Sequence, residues 1–180
     1  MSLHPQPIPP VPSETVFVAL AAFPKGNLYL RLRDELGVFY TDCDFENLYS
    51  VHGQPGYAPW RLAMISVMQF LENLSDRQAA DAVRGRIDWK YALSLELTDP
   101  GFDFTVLSEF RDRLIKQEAL AQILEQMLQR FTEKGLLKAR GKQRTDSTHI
   151  LAKVRELTRL ENLIETLRHA LNNLALVAPE

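Results

Sequence analysis

Apolar residues recur at three- and four-residue steps along most of this chain, the spacing of a buried stripe on an α-helix. Leu28, Leu32 and Leu36 share one face between Asn27, suited to an N-cap, and Gly37, suited to a C-terminal stop, which predicts a helix there. After the punctuation GQPGYAP at Gly53 to Pro59, Pro59 fits the first position of a helix whose stripe is Trp60, Ala63, Met64, Val67, Phe70, Leu71 and Leu74. Ser75, with Gln78 three residues on, has the pattern of a capping box opening a short helix that turns Ala79, Ala80 and Val83 inward and stops near Gly85. Another short helix from Asp88 presents Trp89, Tyr91, Ala92 and Leu95. The loop TDPGFDF from Thr98 to Phe104 then breaks the chain, and Thr105 caps a helix bearing Leu107, Phe110 and Leu114. Leu120, Ile123, Leu124, Met127, Leu128 and Phe131 predict a long amphipathic helix ending at Lys134 and Gly135. A last stripe, Ile150, Val154, Leu157, Leu160, Ile164, Leu167, Leu171 and Leu174, suits a partner helix. No stretch alternates apolar and polar residues, so the expected fold is mainly α: a multi-helical domain with a helix-turn-helix-like segment, ending in a long amphipathic helix.

Composition adds boundaries. At 180 residues, 46% hydrophobic and 24% charged, the chain reads as a globular domain with a normal core, not as a disordered or fibrous protein. Five of the ten prolines fall within the first twelve residues, which sets residues 1–13 apart as a flexible tail or docking strap. Residues 14–137 then form the helical domain, and residues 138–180 a basic linker leading into a further segment, helical from about residue 150. The single cysteine, Cys43, excludes a disulfide framework and fits a reducing compartment. The longest apolar run, Leu62 to Leu71, is far short of the roughly 20 residues that span a bilayer. With no signal-peptide pattern at the amino terminus, the expectation is a cytoplasmic protein without a membrane segment.

The formal net charge of -2 conceals an uneven distribution. Acids outnumber bases between Glu14 and Glu46, whereas Arg130, Lys134, Lys138, Arg140, Lys142 and Arg144 face one acid, Glu133. Such a basic strip suits either phosphate contact, where released counterions raise affinity, or a solvated linker. Tandem short helices from Pro59 to about Leu114 suit a helix-turn-helix that lays one helix in a DNA major groove. Their candidate readers are Arg77, Gln78, Arg84, Arg86, Arg111 and Arg113, because arginine contacts guanine edges bidentately and glutamine contacts adenine. The same arginines could instead pair with Asp76, Asp81, Asp88, Glu109 and Asp112 on solvated helix faces. None of the four histidines has the i, i+4 partner of a zinc helix, and there is no P-loop, nucleophile-elbow serine or dinucleotide fingerprint. Asp146, followed by Ser147 and Thr148 ahead of an apolar stripe, reads by itself as an N-cap cluster.

The succession LRDELGVF, YSVHGQPGYAPWRL, FLENLSDRQAADAVRGRIDWKYALSL, FDFTVLSEFRDRL and KGLLKARGKQRTDSTHILAKVRELTRLE resembles the amino-terminal half of insertion-sequence transposases, more narrowly the eleven-eighty-two branch of the insertion-sequence-five superfamily. The resemblance runs from about Asn27 to the last residues. It implies a helical domain that binds insertion-sequence ends, followed by an RNase H-like catalytic domain with a triad of two aspartates and a glutamate. Asp146, in the DST element, falls on the first triad position as catalytic residue and metal ligand. In the intact family enzyme the triad holds Mg²⁺ ions that activate the attacking hydroxyl and stabilise the leaving oxygen of a phosphodiester. Glu156 and Glu161 match no triad position. Because the second aspartate and the glutamate do not follow, the expectation is a truncated fragment that binds DNA, binds no metal and is inactive alone. Alternatives are a non-enzymatic regulator, pairing with itself or with full-length transposase through Ile150 to Leu174, or a degenerate remnant.

Overall fold

The computed structural model describes residues 1–133. These fold into seven α-helices: α1 (Ser13–Ala22), α2 (Leu28–Arg31), α3 (Pro59–Leu71), α4 (Asp76–Gly85), α5 (Ile87–Ala92), α6 (Thr105–Lys116) and α7 (Leu120–Glu133). A π-helical turn, Leu32–Leu36, prolongs α2, and a 3-10 helix, Asp42–Leu48, precedes α3. Among the described residues there is no sheet; Ser2 makes isolated bridges to Ser50 and Pro55. Lys138, Arg140, Lys142, Arg144, Asp146 and the stripe from Ile150 to Leu174 lie outside the described residues.

Two helices organise the core of the unit Met1–Glu118. The first, α3, packs against the 3-10 helix, α4 and α6, and buries Leu62, Ile65 and Met68 as well as Trp60, Ala63, Met64 and Val67. It is therefore buried nearly all round, while Phe70, expected inward, lies at the rim at 37% exposure. The second, α5, is six residues long yet buries Trp89, Tyr91 and Ala92 and packs on α1, α2 and α4. Its exit is capped from a distance. Arg61 donates to the carbonyls of Leu93 and Ser94 at 3.0 and 3.1 Å, satisfying acceptors that a helix end leaves open. Helix α7 belongs to a second unit that begins at Ala119, and on it Met127 and Phe131, four residues apart, are both buried.

Several local signals act as the sequence suggests. Asn27 caps α2 by accepting from the Tyr29 amide at 2.7 Å, and Gly37 ends the following turn at φ 72°. Yet Leu28, expected on the inner face, is 43% exposed, and Tyr29 and Leu30 are buried instead. The widened π turn shifts the angular register, so Leu32 and Leu36 still face inward while the first turn presents Tyr29 to Trp89, with ring centroids 5.9 Å apart. At α6 the cap is not Thr105. Asp103 Oδ1 accepts from the Thr105 amide at 2.9 Å and its hydroxyl at 2.7 Å.

The first residues make specific backbone contacts with the segment before α3. Ser2 donates from its amide to Gln54 and accepts from the Gly56 amide, and Leu3 donates to Ser50, at 2.8, 3.0 and 3.1 Å. Val11 packs against the buried cluster of Ala19, Leu30 and Tyr91. Helix α1, which no apolar periodicity announces, is anchored in the same region by the buried Thr15 hydroxyl, which donates to the Leu95 carbonyl at 2.8 Å.

Candidate nucleic-acid interface

Helices α3 and α4 are joined by Glu72, Asn73, Leu74 and Ser75, a link of helix-turn-helix length. Asn73 takes the left-handed conformation, φ 55°, which asparagine tolerates better than most residues because its short side chain can bond locally. Gln69 fixes the link by donating to the Leu74 carbonyl at 3.1 Å and to Asp76 Oδ1 at 2.7 Å. Ser75 and Gln78 close the capping box: the Ser75 amide donates to Gln78 Oε1 at 2.9 Å and the Gln78 amide to Ser75 Oγ at 3.4 Å. On its inner side α4 carries Ala79, Ala80, Ala82 and Val83, all buried. Its outer side therefore presents Arg77, Gln78, Asp81 and Arg84, all exposed.

The loop after α5 lies along that outer side. Lys90, buried within α5, donates through Nζ to the Asp99 carbonyl at 2.7 Å and the Glu96 carbonyl at 3.3 Å, which holds the loop down. Gly101, at φ 72°, brings the loop backbone against α4: a Cβ there would sit 3.6 Å from Arg84 Cβ. Arg84 donates from Nε to the Pro100 carbonyl at 3.1 Å and pairs with Asp81 at 3.0 Å. The Arg77 guanidinium lies 4.8 Å from the centre of the Phe104 ring. Asp103 stands nearby. Its hydrogen bonds from the Thr105 amide and hydroxyl, with the Arg77 and Arg84 charges, hold its carboxyl below the usual range despite desolvation.

The remaining candidates turn inward. Arg86 pairs with Glu72 and, at 2.7 Å, with Asp88, and it lies against the rings of Tyr29 and Trp89 at 5.6 and 5.3 Å. Glu72 also accepts from the Tyr29 hydroxyl and, at 3.3 Å, from Trp89 Nε1, while Asn27 donates to Asp88 at 3.2 Å. This network ties α2, α3 and α5 behind α4. Arg111 on α6 forks onto Asp76, the first residue of α4, its two bonds being 2.9 and 2.5 Å. Arg113 covers the Tyr49 ring at 4.7 Å and approaches Glu109 at 3.9 Å. Of the six described arginine and glutamine candidates, Arg77, Gln78 and Arg84 thus share one open face, and Arg86, Arg111 and Arg113 brace the domain that carries it. The sequence reading missed the loop of Gly101 and Phe104 as part of this surface, although the Pro100–Gly101 pair was the signal for a turn there.

These carboxylates predict an acid response. Desolvation opposes ionisation of Glu72, but hydrogen bonds from Arg86, Tyr29 and Trp89 prevail and hold its carboxyl below the ordinary value; the Arg111 fork does so for Asp76, against desolvation and with help from Gln69. A carboxylate depressed on folding adds stability above its unfolded pKa of about 4 and loses it as pH falls through the folded value. Asp42 acts oppositely, since burial raises its carboxyl and protonation relieves a cost. With three depressed carboxylates, Glu72, Asp76 and the fully exposed Asp103, against one raised, Asp42, the urea midpoint is expected to hold between about pH 7 and 5 and to drop below about pH 4. An Asp76→Asn variant should show a smaller drop; a midpoint that rises on acidification would contradict the assignment.

Among the described residues, no group of three or more His, Cys, Asp or Glu side chains is placed to hold a metal ion. No helix among them is long and apolar enough to cross a membrane. What the fold and site define, among the described residues, is a helical domain in which two helices joined by a four-residue link present Arg77, Gln78, Asp81 and Arg84 outward. The model of the family described as Transposase domain (DUF772) matches residues 17–113, from α1 into α6 and more than half of the chain, and the chain belongs to that family. No curated protein and no solved structure matches it.

Proposed function

We propose that this chain is the DNA-binding part of an insertion-sequence transposase and that α4, the second helix of the helix-turn-helix pair, enters the major groove at the element end. The supporting observation is the grouping of Arg77, Gln78 and Arg84 on the exposed side of α4, where Arg84 has only a solvated pair with Asp81, while the neighbouring Arg86 and Arg111 are tied into less exposed ion pairs that join different elements. Side chains near the start of such a helix reach base edges, and the first helix of the pair crosses the backbone. Arginine supplies a fork for guanine O6 and N7, and Gln78, whose Oε1 accepts from the Ser75 amide and hydroxyl in the capping box, keeps Nε2 as a donor. In this proposal the basic strip of Lys138, Arg140, Lys142 and Arg144 adds phosphate contacts, and metal-dependent strand transfer belongs to a DDE domain in which Asp146 is the first carboxylate and Mg²⁺ the cation. The setting is the cytoplasm, where the DNA is.

The test is a titration of the chain with duplex DNA from the ends of its own element at about 50 and 200 mM salt. Binding should weaken steeply with salt. An Arg77→Ala, Arg84→Ala double variant, whose substitutions touch no buried group, should bind about tenfold more weakly or worse. Absence of salt-sensitive binding by the wild-type chain overturns the reading.

A further inference from the structure

Resting on that DNA-binding reading, we propose that Asp81 is a specificity-determining residue of α4, selecting cytosine within a short guanine- and cytosine-containing site read by the stripe Arg77, Asp81 and Arg84. Positions 77, 81 and 84 are spaced i, i+4 and i+7, which places them on one helical face. At 1.5 Å rise per residue the stripe is about 10 Å long, close to three base-pair steps of about 3.4 Å. It therefore offers a cation, an anion and a cation to about three successive base pairs.

The acid in the middle has no evident task in holding the fold. The side chains of Asp81 and Arg84 are 62% and 55% exposed, and an ion pair so solvated contributes little to stability. Among the described residues Asp81 accepts through Oδ1 alone, from Arg84 NH1, which leaves Oδ2 open. A carboxylate on a surface meant for DNA is repelled by phosphate, so it lowers affinity for every sequence unless a base donates to it. In the major groove guanine and thymine offer a carboxylate acceptors, and adenine sets its N6 donor beside the N7 acceptor, which repels a second carboxylate oxygen; cytosine N4 is the donor without such a neighbour on its own base. Asp81 thus favours cytosine, with adenine next, and penalises guanine and thymine, and discrimination rests on that difference. Arg84 for its part has Asp81 and the Pro100 carbonyl as its partners, both solvated, and its NH2 group is bound by neither.

The experiment is selection of the full chain on a library of randomised duplex oligonucleotides, with sequencing of the bound fraction. Wild type should enrich guanine and cytosine over about three adjacent base pairs. Asp81→Ala should leave one of these positions degenerate, with the others kept and overall affinity unchanged or higher; the lost discrimination should be about tenfold. Asp81→Asn should move that position towards adenine, because an asparagine amide matches adenine N6 and N7. Identical base preferences for wild type and both variants would overturn the assignment, leaving Asp81 as a partner of Arg84 and nothing more. Wild-type chain that selects no sequence yet binds DNA in a salt-sensitive way would overturn the assignment alone; chain that binds no DNA would overturn the underlying reading as well. Thermal unfolding of each variant, expected within a few degrees of wild type, separates lost reading from lost fold.

Discussion

Replacing Arg86 with alanine is expected to destabilise the domain by about 3 kcal/mol and to lower its thermal midpoint by roughly 10 °C. The arginine faces two carboxylates, and one of them, Asp88, has a side chain 6% exposed. Removing the cation leaves Asp88 with the Trp89 amide and the Asn27 amide group as donors, and Glu72 with Tyr29 and Trp89. An uncompensated buried charge costs about 3–5 kcal/mol, and the partial exposure of Arg86 and Glu72 places this case at the lower end. Arg86→Lys should recover a minority of the loss, because an ammonium group cannot fork onto Asp88 while reaching Glu72 or lie flat on two rings. Urea unfolding followed by circular dichroism measures both variants. A loss below about 1 kcal/mol for Arg86→Ala would mean that the network is solvated and not structural.

Phe110→Ala should cost about 3–5 kcal/mol, a large share of the roughly 5–15 kcal/mol that holds a domain together. Phe110 is 1% exposed, and its ring lies 5.7 Å from that of Phe45, which in turn meets Tyr40 at 5.8 Å. Truncation opens a cavity where the 3-10 helix meets α6, and the surrounding aromatic rings are too rigid to fill it. Phe110→Leu keeps most of the volume and should cost about 1–2 kcal/mol. A urea midpoint for Phe110→Ala near that of wild type would show that the site collapses without penalty.

Features that depend on residues close together along the chain are legible in the sequence itself. The Ser75–Gln78 box, the Asn27 cap and the Gly37 stop each complete themselves within a few residues, and each lies where the pattern placed it. Features completed across the fold are not legible in that way. The first residues are held because Ser2 meets backbone groups some 50 positions away, and nothing in a proline-rich stretch encodes that meeting. Helix α1 leaves no periodic trace because its apolar residues do not gather on one side; Phe17 is 76% exposed. The candidate site shows the same limit most clearly. Arg84 and Arg86 stand two positions apart and look alike in sequence, yet one keeps an exposed side chain, paired with its helix neighbour Asp81, and the other is bound to Glu72, fourteen positions earlier. Sequence named the arginines as a set, and tertiary pairing divided them.

The alanine-lined underside of α4 separates what positions this helix from what it displays. Ala79, Ala80, Ala82 and Val83 settle its seat through short side chains with little rotamer freedom, and Gly101 and Lys90 settle the loop beside it. Arg77, Asp81 and Arg84 take no part in that seating. Under the DNA-binding role proposed above, such a division would make the domain retargetable: a lineage could exchange three outward side chains and follow a drifting DNA end, while the scaffold inherits no need to refold.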